Sequence, residues 1–316
     1  MRMNFRGSPR RVQLVVCLSV LVCGLAEARL RAQTDAANPA AACAAMNRIG
    51  SVVVDHITFA TYSSDAGACL QAISAGKVVF RRAVDSMQSF TLGQPTSTDG
   101  NYFAVPNGAD VTGRGHPDMI VSLFTGGAHC CVTHFVFELE PEFKLLATLN
   151  DSDDDLAHFA RDPKDHRYSY YTADWTFAYW PTCFACSPSE LVILRWADDA
   201  KGGGFHLALD KMQKPAPTTA AWNKNLAAIR AVVSKGDADS IGQTLWQDVL
   251  DLIYTGHSDL AWKLANAAGP KAQQKPFPAL SDFCSLLRQS PYWPDLQPTL
   301  KDTPPACSTP ATPASK

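Results

Sequence analysis

The sequence predicts a β-rich protein, a propeller-like array of antiparallel sheets forming an incomplete ring, followed by a small all-α C-terminal domain. Three observations carry that prediction. Residues 51–211 are written in short β-branched and aromatic runs separated by Gly, Pro, Asn and Asp clusters. Beyond Lys214-Pro215-Ala216-Pro217 the apolar residues shift to helical spacing. The 316 residues are 46% hydrophobic and 18% charged, too apolar for a disordered chain despite 21 prolines.

The N-terminal segment comes first. Arg2, Arg6, Arg10 and Arg11 precede an apolar run from Val12 to Leu25, then Ala26-Glu27-Ala28. A basic start, a run too short to span a bilayer and a small-x-small site predict a signal peptide over 1–28, cleaved after Ala28. Export to the periplasm or outside the cell follows, with no membrane span left after cleavage. Residues 29–50 read as a flexible lead-in.

Within 51–211 the strand runs are Val52–Val54, Ile57–Phe59, Lys77–Phe80, Met119–Val121, Val132–Leu139, Lys144–Leu149 and Leu191–Trp196, with a hairpin at Ala75-Gly76. Residues 212–220 are a Pro-rich linker and 221–293 a helical domain. Its first stripe is Trp222, Leu226, Ile229 and Val233, closed by Gly236; its second is Ile241, Leu245, Val249 and Leu252, stopped near Gly256. Ser258 caps a third helix and Ser281 a fourth through Leu287. The Pro/Thr/Ser-rich tail, 294–316, is expected to be disordered.

Ten cysteines mark the compartment. Cys17 and Cys23 leave with the signal peptide, and Cys43, Cys69, Cys130, Cys131, Cys183, Cys186, Cys284 and Cys307 remain. An even number in an exported protein reads first as disulfides, with connectivity open. The cluster His129, Cys130, Cys131 and His134, with Cys183-Phe184-Ala185-Cys186, has residue types that suit zinc or thiol chemistry. An oxidising compartment favours disulfides over zinc, and the strand following the Cys-x-x-Cys disfavours a thioredoxin-like site. A formal net charge of −2 argues against a nucleic-acid partner.

Asp110-Val111-Thr112-Gly113-Arg114-Gly115-His116-Pro117-Asp118 has the spacing of a loop that wraps a hard cation. Asp110, Thr112 and Asp118 supply side-chain oxygens at positions one, three and nine, and His116 a carbonyl at seven. This stretch resembles the FG-GAP or VCBS-type repeats of integrin-like β-propellers, whose Asp-x-Asn/Thr-Gly-Asp-Gly-x-x-Asp loop enters a strand. The resemblance covers about one blade and implies Ca²⁺ at Asp110, Thr112, His116 and Asp118. Arg114 stands where the repeats carry an acid, and its charge opposes a metal. A degenerate second copy spans Arg161 to Ser169, keeping Asp162 and Asp165. The Gly126–Cys131 and Trp175–Trp180 stretches and the helical segments also resemble a broader, uncharacterised group of exported bacterial proteins.

Trp175, Phe177 and Tyr179 alternate as on one strand face and form a candidate ligand face for a glycan. No Gly-x-Ser-x-Gly elbow, phosphate-binding glycine loop or His-Glu-x-x-His helix occurs in the sequence. The expected function is therefore an exported, non-enzymatic binding protein with a protein or glycan partner. The alternative is a cell-envelope hydrolase or thiol- or zinc-dependent enzyme built on the His/Cys cluster.

Overall fold

A computed structural model describes residues 43–94, 104–126, 132–151, 157–180, 182–199, 202–268 and 280–308. The predicted signal peptide, most of the predicted lead-in, His129, Cys130, Cys131 and residues 309–316 lie outside them.

Twelve strands form three four-stranded antiparallel sheets. The first contains β1 (Asn47–Val54), β2 (Ile57–Ser64), β3 (Gly67–Ser74) and β4 (Lys77–Asp85), paired in sequence order. Its turns are two residues long. Ala75 and Gly76 both take positive φ, 47° and 76°, which matches hairpin twist and places the predicted turn where expected. Strand pairing reaches back to Asn47, opposite Ser63, and Cys43 is bonded to Cys69, so the predicted flexible lead-in ends earlier than residue 50.

The second sheet contains β5 (Ser89–Leu92), β6 (Asp118–Phe124), β7 (Val132–Glu138) and β8 (Lys144–Asn150). The third runs β12–β11–β10–β9, with β9 His158–Arg161, β10 Tyr168–Asp174, β11 Glu190–Ala197 and β12 Gly204–Leu207. All seven predicted apolar runs fall within strands, Leu139 alone lying just past the end of β7. No closed barrel or ring is formed among the described residues.

The second sheet is the middle layer, and its side-chain alternation shows why. Met119, Val121, Leu123, Phe135 and Phe137 join Phe59, Leu70 and Ala72 of the first sheet in one core. Ile120 and Val136, one residue out of phase, join Phe159, Tyr170 and Leu194 of the third sheet in another. A strand apolar at successive positions is one buried on both faces.

The helical segment follows α1 (Leu209–Met212) and comprises α2 (Thr219–Lys235), α3 (Ala238–Ile241), a π-helical turn (Gly242–Trp246), α4 (Gln247–Tyr254), α5 (Ser258–Ala268), α6 (Leu280–Leu287), α7 (Trp293–Leu296) and α8 (Pro305–Ser308). Thr218 caps α2 and Gly236 ends it at φ 74°, as the stripe predicts. Ile241, Leu245, Val249 and Leu252 are all buried. These helices share one continuous core with the third sheet and stack on the turn after β10 through Phe177–Phe283 at 4.8 Å, with Trp246–Phe283 at 5.0 Å joining helix to helix. Residues 294–308 are not a disordered tail. Leu296 is buried, and the Cys284–Cys307 disulfide pins α8 to α6.

Candidate functional site

The Asp110 loop is built by its own carboxylates. Asp110 accepts backbone N–H bonds from Arg114 (3.0 Å) and Gly115 (2.8 Å), and Asp118 accepts from Val111 (2.9 Å) and Thr112 (3.0 Å). The Thr112 hydroxyl lies 3.0 Å from Asp118 Oδ2 and 3.4 Å from Asp110 Oδ1, so three predicted ligand oxygens do converge. Asp118 Oδ1 is buried without a hydrogen-bond partner among the described residues. Burial pushes the Asp118 carboxyl up to about 6, and the nearby charge of Asp110 adds to the shift. His116 is half-buried and takes no part in these hydrogen bonds. Arg114 turns out of the loop, to Glu138 at 3.0 Å and Asp198 at 3.5 Å, with its guanidinium over Trp196. The loop's own N–H and hydroxyl groups thus occupy both oxygens of Asp110 and one of Asp118.

The degenerate copy is resolved differently. Arg195 and Lys211 fill it: Arg195 reaches Asp165 at 2.7 Å and Asp162 at 3.2 Å, and Lys211 reaches Asp162 at 2.8 Å. Both acids are held below the ordinary carboxylate range, Asp165 first by Arg195 and Asp162 first by Lys211.

Among the described residues three disulfides join Cys43–Cys69, Cys183–Cys186 and Cys284–Cys307. Cys183, Cys186 and Asp239 cluster within metal-ligand range, but bonded sulfurs are not thiolate ligands. Cys130 and Cys131 lie outside the described residues.

The aromatic ligand face is corrected. Strand β10 stops at Asp174, whose carboxylate accepts the Thr176 N–H at 2.9 Å and its hydroxyl at 2.5 Å, turning the chain out of the sheet. Residues 175–180 form turns, and Phe177 is wholly buried. Trp175 stacks on Phe184 at 4.9 Å, and Tyr179 remains 63% exposed. The three side chains do not share a face.

His134 enters a buried polar chain between the second and third sheets. Its Nδ1 lies 2.8 Å from the Ser122 hydroxyl and its Nε2 3.4 Å from Asp151 Oδ2, while Tyr170 donates to the other oxygen of Asp151. Burial pushes the imidazole down to about 4. The residue types are those of a hydrolytic triad, yet Ser122, His134 and Asp151 are all buried and Ser122 also donates to the Gly93 carbonyl at 2.9 Å. All three belong to the second sheet or its end, and the contact of Asp151 with Tyr170 of β10 joins them to the third.

A cavity of about 460 Å³ lies over the third sheet. Tyr171 of β10 is paired with His158 of β9 and Ile193 of β11, which sets all three on one face. The His158 and Tyr171 rings stack at 5.3 Å. Leu191 and Met212 complete a mainly apolar wall, Lys211, Gln213, Lys214 and Thr255 line its polar side, and Glu190, Thr172 and Val192 border it from the alternate strand positions that are in phase with the buried face. Leu191 is 76% exposed at its rim. Glu190 is buried opposite Asp174 in the register. Burial pushes its carboxyl up to about 8, with Asp251 and Asp174 adding to the shift. Asp174 is already held by Thr176, Ser290 (2.8 Å) and Tyr254 (2.5 Å). Among the described residues Glu190 has only a long hydrogen bond, 3.4 Å, from Gln247.

No family model, curated protein or solved structure matches this chain. The site is therefore read from its own chemistry. A concave, mainly apolar pocket with a few convergent polar groups and a shifted carboxyl has the make-up of a small-ligand site. Sequence reasoning missed it, although a glutamate heading the apolar run Leu191–Trp196 was a usable signal.

Proposed function

We propose that the protein is an exported binding protein that takes a glycan partner in the cell envelope or outside the cell, at the cavity over the third sheet. The observation that carries this reading is the cavity's combination of a stacked His158–Tyr171 platform with a polar lining from Lys211, Gln213, Lys214 and Thr255. A sugar ring has matching parts, an apolar C–H face and a rim of hydroxyls. The disulfides are compatible with an extracellular or periplasmic setting, and no described helix is long and apolar enough to cross a membrane. Three successive four-stranded antiparallel sheets support the propeller-like repeat reading. The test is a soluble oligosaccharide array followed by calorimetry on the bound glycan, with Tyr171→Ala as the variant that should lose it. A protein partner engaging the exposed rim at Leu191 would instead give no glycan binding.

The Asp110 loop joins this reading as a Ca²⁺ loop, with Asp110, Thr112 and Asp118 as side-chain ligands. Its support is the buried Asp118 Oδ1, which lacks a donor among the described residues. Calorimetry with CaCl₂ and melting with and without EDTA test it. The absence of both heat and thermal shift ends the calcium reading.

A second reading has one observation in its favour. A carboxyl that keeps its proton near pH 7 at the border of a ligand cavity is suited to general-acid hydrolysis. Turnover of a bound glycan that disappears in Glu190→Gln would establish a hydrolase; binding without turnover would leave the binding protein.

A further inference from the structure

The three described disulfides are not alike. Cys43, Cys69, Cys284 and Cys307 are buried, whereas Cys183 is exposed and Cys186 half-buried. An attacking thiolate must reach a sulfur, and only this third pair offers one to solvent among the described disulfides. The pairs also differ as staples. Cys43–Cys69 and Cys284–Cys307 close separations of 26 and 23 residues, while Cys183–Cys186 closes 3. Unfolded-state restraint grows with loop length, so the shortest link stabilises the fold least. The chain has placed its weakest staple where it is most reachable.

The surroundings add two features. The turn carrying the pair is held to α3, where Asp239 accepts a hydrogen bond from the Thr182 hydroxyl and lies 3.5 Å from the Cys183 N–H. The Asp239 carboxylate is within 4.8 Å of both sulfurs. A negative charge there disfavours a thiolate and so restrains its departure as a leaving group. Phe184, between the two cysteines, carries Trp175 on one side and the exposed ring of Tyr179 at 5.4 Å. These rings give an incoming partner an apolar contact beside Cys183.

We propose that Cys183–Cys186 is a thiol-exchange site, reduced by an external thiol while the buried disulfides stay closed, with Asp239 restraining the rate. The external thiolate attacks Cys183 Sγ, the Sγ–Sγ bond breaks, and Cys186 leaves as a thiolate that takes a proton from water. A second thiolate attacks the external sulfur of the mixed disulfide and releases Cys183, which is protonated. Two external thiols are oxidised to one disulfide, and the cysteine pair is reduced to two thiols. This site is independent of the glycan cavity.

The experiment exposes the folded full chain to dithiothreitol or reduced glutathione, traps thiols with iodoacetamide, and maps each cysteine by mass spectrometry. Cys183 and Cys186 should be labelled at least about tenfold faster than the four buried cysteines. Asp239→Asn, which keeps an acceptor for the Thr182 hydroxyl but removes the charge, should accelerate their reduction severalfold, whereas Thr182→Val, which removes that hydrogen bond but keeps the charge, should not. Equal rates for the three disulfides would overturn the proposal. So would equal acceleration by both variants, which would mean that loosening of the turn, rather than the carboxylate, sets the rate.

Discussion

Arg195 grips Asp165 through two contacts, Nη1 to Oδ2 at 2.7 Å and Nη2 to Oδ1 at 3.2 Å. A strand residue of β11 thus supplies the positive charge between the two acids, Asp165 and Asp162. Planar, two-point contact is a property of guanidinium that an ammonium does not share. Arg195→Met should therefore lower stability by about 1–3 kcal/mol, and Arg195→Lys should restore only part of it. Urea unfolding at pH 7 measures both. The acids it holds also set a direction in pH. Their lowered carboxyl groups contribute stability above the ordinary carboxylate range, and it is lost as pH falls through their folded values.

His134 shifts stability in the same direction through burial rather than through an ion pair. Its imidazole is pushed down to about 4, so between pH 6.5 and 4 the unfolded chain takes a proton that the folded chain refuses. Stability contributed by neutral His134 is present above pH 6.5 and lost as pH falls toward 4. Ser122→Ala, which leaves Nδ1 without its 2.8 Å partner, should cost about 1–3 kcal/mol. Thermal melting across this pH range tests both statements.

The strands were legible where β-branched and aromatic residues run together, as in Met119–Val121 and Leu191–Trp196. They were less so in β5, β9 and β12, four-residue strands whose mixed side chains take their place from neighbours. Trp175, Phe177 and Tyr179 have a strand's alternation but not its backbone, because the Asp174 side chain competes for the Thr176 N–H and turns the chain. The helical stripes at Ile229 and Leu245 were legible from their period; their docking was not. Asp174 meets Tyr254 and Ser290 across 80 and 116 residues, and no local pattern announces such contacts. The two Asp loops look alike in sequence, and only the folded chain brings Arg195 and Lys211 into one of them.

Glu190 should show the reverse slope from His134. Its carboxyl is raised to about 8, so from pH 4.5 to 8 the unfolded chain ionises while the folded chain keeps the proton. Stability it confers is fully present below pH 4.5 and is lost as pH rises through 8. Glu190→Gln has the same shape without the titration. It should flatten the stability profile above pH 5 and exceed the wild type at pH 9 by roughly 1–3 kcal/mol.

The disulfides should separate by loop length. Replacing both Cys284 and Cys307 by Ala should cost about 3 kcal/mol, and replacing both Cys183 and Cys186 by Ser should cost under about 2 kcal/mol. Melting temperatures of the two double variants, compared under non-reducing conditions, give the ordering.

The most direct test of the binding account is calorimetric titration of the folded protein with the oligosaccharide that an array selects, repeated on Tyr171→Ala. Removing one wall of the His158–Tyr171 stack should weaken binding about tenfold or more, with the melting temperature changed little. Unchanged affinity in the variant, or an array on which no glycan binds, would contradict the account.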